Sequence, residues 1–256
     1  MMMTEKFSFL KTRLPIFCFG MGLGIASQHI PELQVYSHGQ EALFPCMPIS
    51  CFHINRTGYS LAYDARNRNP AWVYEHLTAE SIQGNAKRAQ DFKEDPNIPN
   101  NLRATSTDCK GQGFDRGHMA PAGDHRSTSE AMNDTFYMTN ICPQSPQLNR
   151  GYWSKLEKHV RDLTKQYANV YVVTGPLYLP HKEVDGKRYV KYQVIGKNDV
   201  AVPTHFFKVL TLDSGVGDAH TFAYILPNEA IPPKTPLENF ETTIEKIEHL
   251  AGLILQ

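Results

Sequence analysis

From Trp153 to Tyr167 apolar residues return every three or four positions, as Trp153, Leu156, Val160, Leu163 and Tyr167, while Lys155, Lys158, Arg161 and Asp162 take the other faces. That is the period of an amphipathic helix with one stripe turned to a core. Directly afterwards the pattern becomes Val170-Tyr171-Val172-Val173-Thr174-Gly175-Pro176, a buried strand ended by a turn. A helix that must bury its stripe, joined by a short connection to a strand, requires a sheet with helices packed on it.

More strands are predicted around this pair. Tyr59–Asp64 and Ala71–Leu77 alternate across the Asn67–Pro70 turn and read as a hairpin. Phe136–Ile141, Arg188–Ile195, His205–Leu210 and Thr221–Leu226 also read as strands. Short helices are expected from about Ser127 to Asn133, capped by Ser127 or Thr128, and from Leu237 to Leu250. The polar stretch from Glu80 to Arg103 reads as a long surface loop. With 256 residues this makes one mixed α+β domain with a central sheet and flanking helices.

Charge argues weakly against a nucleic-acid ligand, because 26 basic residues are balanced by 26 acidic ones. Lys182 to Lys208 holds six basic and three acidic residues, which a solvated face would also explain. Ahead of the domain, Lys6, Lys11 and Arg13 precede the apolar run Leu14–Ala26. The run is short for a transmembrane helix and fits a signal or targeting segment over 1–26. Residues 27–56 read as an extended lead-in and 57–252 as the domain. Export to the periplasm or outside is the favoured reading of this N-terminus, with a mitochondrial presequence as the alternative. Cys46, Cys51, Cys109 and Cys142 allow disulfides in an exported chain, Cys46 with Cys51 being the shortest. Buried free thiols fit equally well.

The chemistry concentrates in Phe114-Asp115-Arg116-Gly117-His118-Met119-Ala120-Pro121, read with Thr139-Asn140 and Leu148-Asn149-Arg150. A neutral imidazole at His118 is able to take a proton from water. The guanidinium of Arg116, joined by Arg66 or Arg68, has the planar fork that grips phosphate oxygens. The amide oxygen of Asn149, with water and phosphate, suits a hard divalent ion. Each residue also has an ordinary structural explanation. Such a histidine is often a core or turn residue, an asparagine at a helix start is often a cap, and Asp115 is able to shape the turn through backbone bonds. Glu157 is placed to pair with Arg161 one helical turn away.

Taken together, Asp115-Arg116-Gly117-His118 resembles the signature of the DNA/RNA non-specific endonucleases of the ββα-metal type. Ordered matches run through Trp72-Val73, Asp134–Tyr137, Leu148-Asn149, Trp153, Leu156-Glu157, Thr174–Leu177, Tyr189–Lys197 and Val202–Val209, over about residues 57–252. The resemblance implies the ββα-metal nuclease fold, with His118 as general base and Asn149 as the single protein ligand of Mg²⁺, with Mn²⁺ as a substitute. It implies Arg116 beside the scissile phosphate, Glu157 near the metal's water shell and Asn140 on the strand beside the motif, these three counted with His118 in the catalytic set. Asp115 would be a structural acid, and Arg66 or Arg68 a second phosphate ligand. The implied reaction is hydrolysis of DNA and RNA to 5′-phosphate and 3′-hydroxyl ends, by a homodimer. Two rivals keep the same residues: a structure-specific phosphodiesterase of narrow range, and a nucleic-acid-binding protein that has lost catalysis.

Overall fold

The computed structural model describes residues 51–255. The expected targeting segment, most of the lead-in and the Cys46 half of the candidate pair lie outside the described residues. The strands in chain order are β1 (Cys51–Asn55), β2 (Tyr59–Asp64), β3 (Asn69–Leu77), β4 (Asp115–His118), β5 (Ile141–Gln144), β6 (Asn169–Leu177), β7 (His181–Lys182), β8 (Arg188–Tyr189), β9 (Val194–Ile195), β10 (Val200–Ala201), β11 (His205–Asp213), β12 (His220–Pro227) and β13 (Glu241–Thr242). The helices are α1 (Ser129–Asp134), α2 (Ser154–Leu163) and α3 (Ile244–Ala251).

Seven strands form the main sheet in the order β1-β2-β3-β6-β11-β12-β13. Every neighbouring pair is antiparallel. Residues 51–55 of the expected lead-in are therefore an edge strand of this sheet. Alternation divides the sheet into two faces. On β11, Phe206, Leu210 and Leu212 join Leu61, Val73, Val172, Trp153, Leu156 and Val160 in the main core beneath α2. Phe207 and Val209 turn the other way, toward Ile247 of α3. Truncating one of these buried side chains to Ala costs about 2–5 kcal/mol. Gly175 sits where a Cβ would come within 2.6 Å of the Ala71 carbonyl and the Phe207 ring, so only glycine permits this closeness of strands.

The hairpin, the buried strand and the α2 stripe follow their sequence periods. Three other segments differ. Phe136–Ile141 is not one strand: Met138–Asn140 makes a tight 3-10 turn before β5 begins. Arg188–Ile195 keeps only two-residue pieces at its ends, because its middle residues are exposed and have no face to bury. Leu237–Leu250 is broken into a short 3-10 turn, the edge strand β13 and α3. Thr243 starts α3 by accepting a hydrogen bond from the Lys246 amide at 3.2 Å, the usual work of a helix cap. Lys208, counted above in a solvated basic run, is buried, with its ammonium 5.1 Å from the Trp153 ring and bonded to Thr174.

Candidate active site

The site is assembled from β4, β5 and the entry to α2. β4 and β5 pair antiparallel, with Asp115 opposite Gln144, Gly117 opposite Cys142 and His118 opposite Ile141. Gly117 is required by contact: a Cβ there would lie 1.9 Å from the Gln144 side-chain oxygen. From β5 the chain enters a widened π-helical turn, Leu148–Trp153, which runs into α2. Turns of this kind are frequent at functional sites. Asn149 lies within it.

Asp115 organises the mouth of the site. Its carboxylate receives two bonds from the Arg150 guanidinium, at 2.7 and 2.6 Å, and one from the side-chain nitrogen of Asn149 at 2.9 Å. These donors, Arg150 foremost, hold the Asp115 carboxyl below the usual carboxylate range. With the Asn149 nitrogen committed to Asp115, the amide oxygen is left free of that bond. Asp115, Arg116 and Asn149 line one cavity of about 550 Å³ with Phe92, Ser106, Thr107, Cys109, Lys110 and Phe114.

Arg116 and His118 are two residues apart on β4 and so share a face. Phe92 serves both: its ring centre is 4.5 Å from the Arg116 guanidinium carbon and 5.4 Å from the His118 ring. Phe136 meets His118 edge-on at 4.9 Å. His118 is only 8% exposed, and its Nε2 has no hydrogen-bond partner in the protein. Burial, reinforced by the charges of Arg88, His125 and Arg116, pushes the imidazole down to about 3. It is neutral at physiological pH.

Asn140 is fully buried. Its oxygen accepts from the Ala120 amide, and its nitrogen donates to the Ala120 and Thr135 carbonyls, each at 2.9 Å. The whole amide thus holds the backbone just beyond His118. Glu157 stands on α2 among Asp124, Lys208, Arg161 and Glu75, and burial pushes its carboxyl up to about 8. Its expected partner Arg161 instead donates to Asp124 at 2.7 Å. Beside this group, His125 and Glu75 pair at 2.8 Å in the core.

Arg66 and Arg68 are not brought to the cavity. Both belong to the β2–β3 turn, where the Arg66 amide bonds Asp64 and the Arg68 guanidinium bonds the Asn101 carbonyl at 3.4 Å. Arg88 is the cation that sequence reasoning missed. It lies 5.2 Å from the Phe136 ring that abuts His118. Its segment is held down farther along. Lys93 and Met138 share a backbone bond of 2.8 Å, and the buried Asp95 pairs with Arg56 and accepts from Thr139 at 2.6 Å. Read as a polar loop, the segment offered one signal, the isolated aromatic Phe92.

Among the described residues, no group of three or more His, Cys, Asp or Glu converges on a metal position. The donors that do converge are of another kind. An amide oxygen oriented by a carboxylate, an open cavity of about 550 Å³ and an imidazole with an unpartnered nitrogen fit a hard, largely hydrated cation held by few protein ligands. Cys109 and Cys142 are buried free thiols.

Comparison with known proteins fits this geometry. The family model described as DNA/RNA non-specific endonuclease matches residues 47–256. The chain is 51% identical over 201 residues to mitochondrial endonuclease G of Homo sapiens, covering 78% of this chain and 68% of that protein. It is 48% identical over 204 residues to nuclease C1 of Cunninghamella echinulata var. echinulata, covering 78% and 81%. A crystal structure of an EndoG/EndoGI complex superposes with a TM-score of 0.77 at 50% identity, covering 79% of this chain and 84% of that one.

Proposed function

The chain belongs to the DNA/RNA non-specific endonuclease family, and from that premise we propose that it is a Mg²⁺-dependent endonuclease hydrolysing phosphodiester bonds in both DNA and RNA. Mn²⁺ is the expected substitute. The observation that carries this reading is the orientation of Asn149 by Asp115 beside Arg116 in one pocket, with His118 two residues along β4 and packed on the same Phe92 ring.

Each residue has a derivable task. The amide oxygen of Asn149 would hold the metal, with water and phosphate oxygens completing its shell. Such an ion, when bound, stabilises charge on the transferring phosphoryl group and its leaving oxygen. Arg116 and Arg88 bind phosphate oxygens through charge-assisted hydrogen bonds. His118 takes the proton of the attacking water at an imidazole nitrogen. The two arginines that depress His118 are partly neutralised when the anionic substrate arrives, so substrate binding makes the imidazole a stronger base. Asn140 keeps the backbone after His118 in register. Contacts to phosphate alone carry no base sequence, which supports a broad substrate range.

A second reading has one observation in its favour. A histidine buried to 8% exposure is a poor partner for arbitrary duplexes. A phosphodiesterase of narrow range, or a binding protein without catalysis, would tolerate that burial. Incubating the protein with supercoiled plasmid, duplex oligonucleotides and single-stranded RNA, in Mg²⁺ or in EDTA, separates the readings. Metal-dependent cleavage of all three, leaving ligatable 5′-phosphates, supports the first. Cleavage of one class alone, or binding without cleavage, supports the second.

Homodimer formation belongs to the same proposal, as does a nuclease domain that takes in β1 ahead of residues 57–252. The human relative's name places it in mitochondria, and that location is proposed here over export. Fractionation of cells expressing the tagged full chain tests it, and recovery of the protein from the medium or periplasm would contradict it.

A further inference from the structure

A second concave surface lies at the far end of α2. It has a volume of about 440 Å³ and is lined by Ile82, Gln83, Gly123, Arg126, Lys158, Arg161, Asp162 and Lys165. Four cations meet there, with Asp162 bridging Lys158 and Lys165 at 2.7 and 2.6 Å and Asp124 accepting from Arg161 at 2.7 Å. Cations remain in excess, in a chain whose formal net charge is zero. Arg126, Lys158 and Lys165 are exposed.

Three separate segments connect this depression to the candidate active site. α2 and its entry turn run from Asn149 to Lys165. The loop after β4 runs from His118 through Gly123, which packs against the Arg161 guanidinium, to Arg126. The segment that lines the depression through Ile82 and Gln83 crosses Arg126, where the Ala86 amide bonds the Arg126 carbonyl at 3.2 Å, and then reaches the His118 neighbourhood through Arg88. At ~1.5 Å of rise per residue, the ten residues of α2, Ser154–Leu163, separate the Asn149 turn from the Lys165 turn by roughly 15 Å. With phosphates spaced by about 3.4 Å along the helix axis on each strand of a duplex, that is about four base pairs from the scissile bond.

We propose that this depression is an outer phosphate-binding station of the nucleic-acid track, gripping the substrate backbone several base pairs from the bond that is cut. The inference rests on the nuclease reading for its scissile bond. The station is sequence-independent, since ammonium and guanidinium groups there meet phosphate rather than base edges. It gives long polymers an advantage over short ones.

The test is binding of a fluorescent 24-base-pair duplex in EDTA, followed by anisotropy over a salt titration, so that cleavage is not needed for the readout. The combined Arg126→Ala, Lys158→Ala, Lys165→Ala variant is expected to bind at least tenfold more weakly. Its salt slope should fall by about 0.9 for each phosphate that the variant no longer neutralises. The Arg126→Lys, Lys158→Arg, Lys165→Arg variant should keep the slope. Lys246→Ala, on α3 across the sheet, should leave slope and affinity unchanged. An unchanged slope in the alanine variant, or an equal drop in Lys246→Ala, overturns the station. Cleavage by wild type together with an unchanged slope would sink the station and spare the nuclease reading. A reduced slope with no cleavage by wild type would do the reverse.

Discussion

The Asp115 carboxylate accepts a hydrogen bond from the side-chain nitrogen of Asn149 at 2.9 Å, and that bond determines which end of the amide faces the pocket. The proposed metal ligand is therefore oriented by its neighbour. Residues that orient a ligand typically change metal affinity by 10–100-fold when removed. Asp115→Ala should raise the Mg²⁺ concentration for half-maximal plasmid cleavage by at least about tenfold. The fold should survive, because the other partner of Asp115 is the exposed Arg150. An unchanged Mg²⁺ dependence in a folded variant would count against this arrangement.

His118 is held neutral by burial and by nearby cations, down to about 3. The free enzyme should then show no loss of kcat/KM near pH 6.5, the range of an ordinary histidine. Its acid limb should lie below about pH 5. The stability sign is the same: with the folded value depressed, this group's contribution is full above about 6.5 and lost as pH falls toward 3. A pH profile of kcat/KM with a midpoint near 6.5, abolished only by changing His118, would contradict the depression.

Glu157 moves the other way, up to about 8, through burial first and then the neighbouring Asp124. The folded state holds this proton more tightly than the unfolded chain. The stability it confers is full below about 4.5 and lost as pH rises through 8. In metal-free protein, Glu157→Gln should flatten the decline in Tm between about pH 5 and 8. Parallel Tm curves for the two proteins would show that Glu157 does not titrate in that window.

Gly117→Ala should be costly without touching any reacting group. Its Cβ would fall 1.9 Å from the Gln144 oxygen, and overpacking of this kind costs about 1–3 kcal/mol. Because the Gln144 amide is buried without partners, adding Gln144→Ala should recover part of the loss. Chemical denaturation of the two variants reads this directly. No shift for Gly117→Ala would mean that the two strands are looser than the structure shows.

The parts of the fold that were legible in sequence are those whose burial has one clear period. The stripe from Trp153 to Val160 has nowhere to go but a core, and Val170–Val173 has no polar face to expose. Arg188–Ile195 alternated as well, but its alternation buries nothing, so tertiary context left it largely irregular. The motif from Asp115 to His118 announced itself by residue type. Arg88 did not, because its place depends on a loop pinned by Asp95, Arg56 and Thr139, residues scattered along the chain. Lys208 misled for a similar reason: a lysine in a basic run gives no sign that Trp153 and Thr174 enclose it. Long-range pairing of this kind is invisible to local pattern.

Cleavage of supercoiled plasmid and of RNA by wild-type and His118→Ala proteins, side by side in Mg²⁺ and in EDTA, tests the central claim most directly. Degradation of both substrates by wild type in Mg²⁺ alone, and loss of both activities in a variant whose circular dichroism is unchanged, is the predicted result. Wild-type rates in folded His118→Ala protein would contradict it, since the pocket of Asp115, Arg116 and Asn149 would then be working without the base assigned to it.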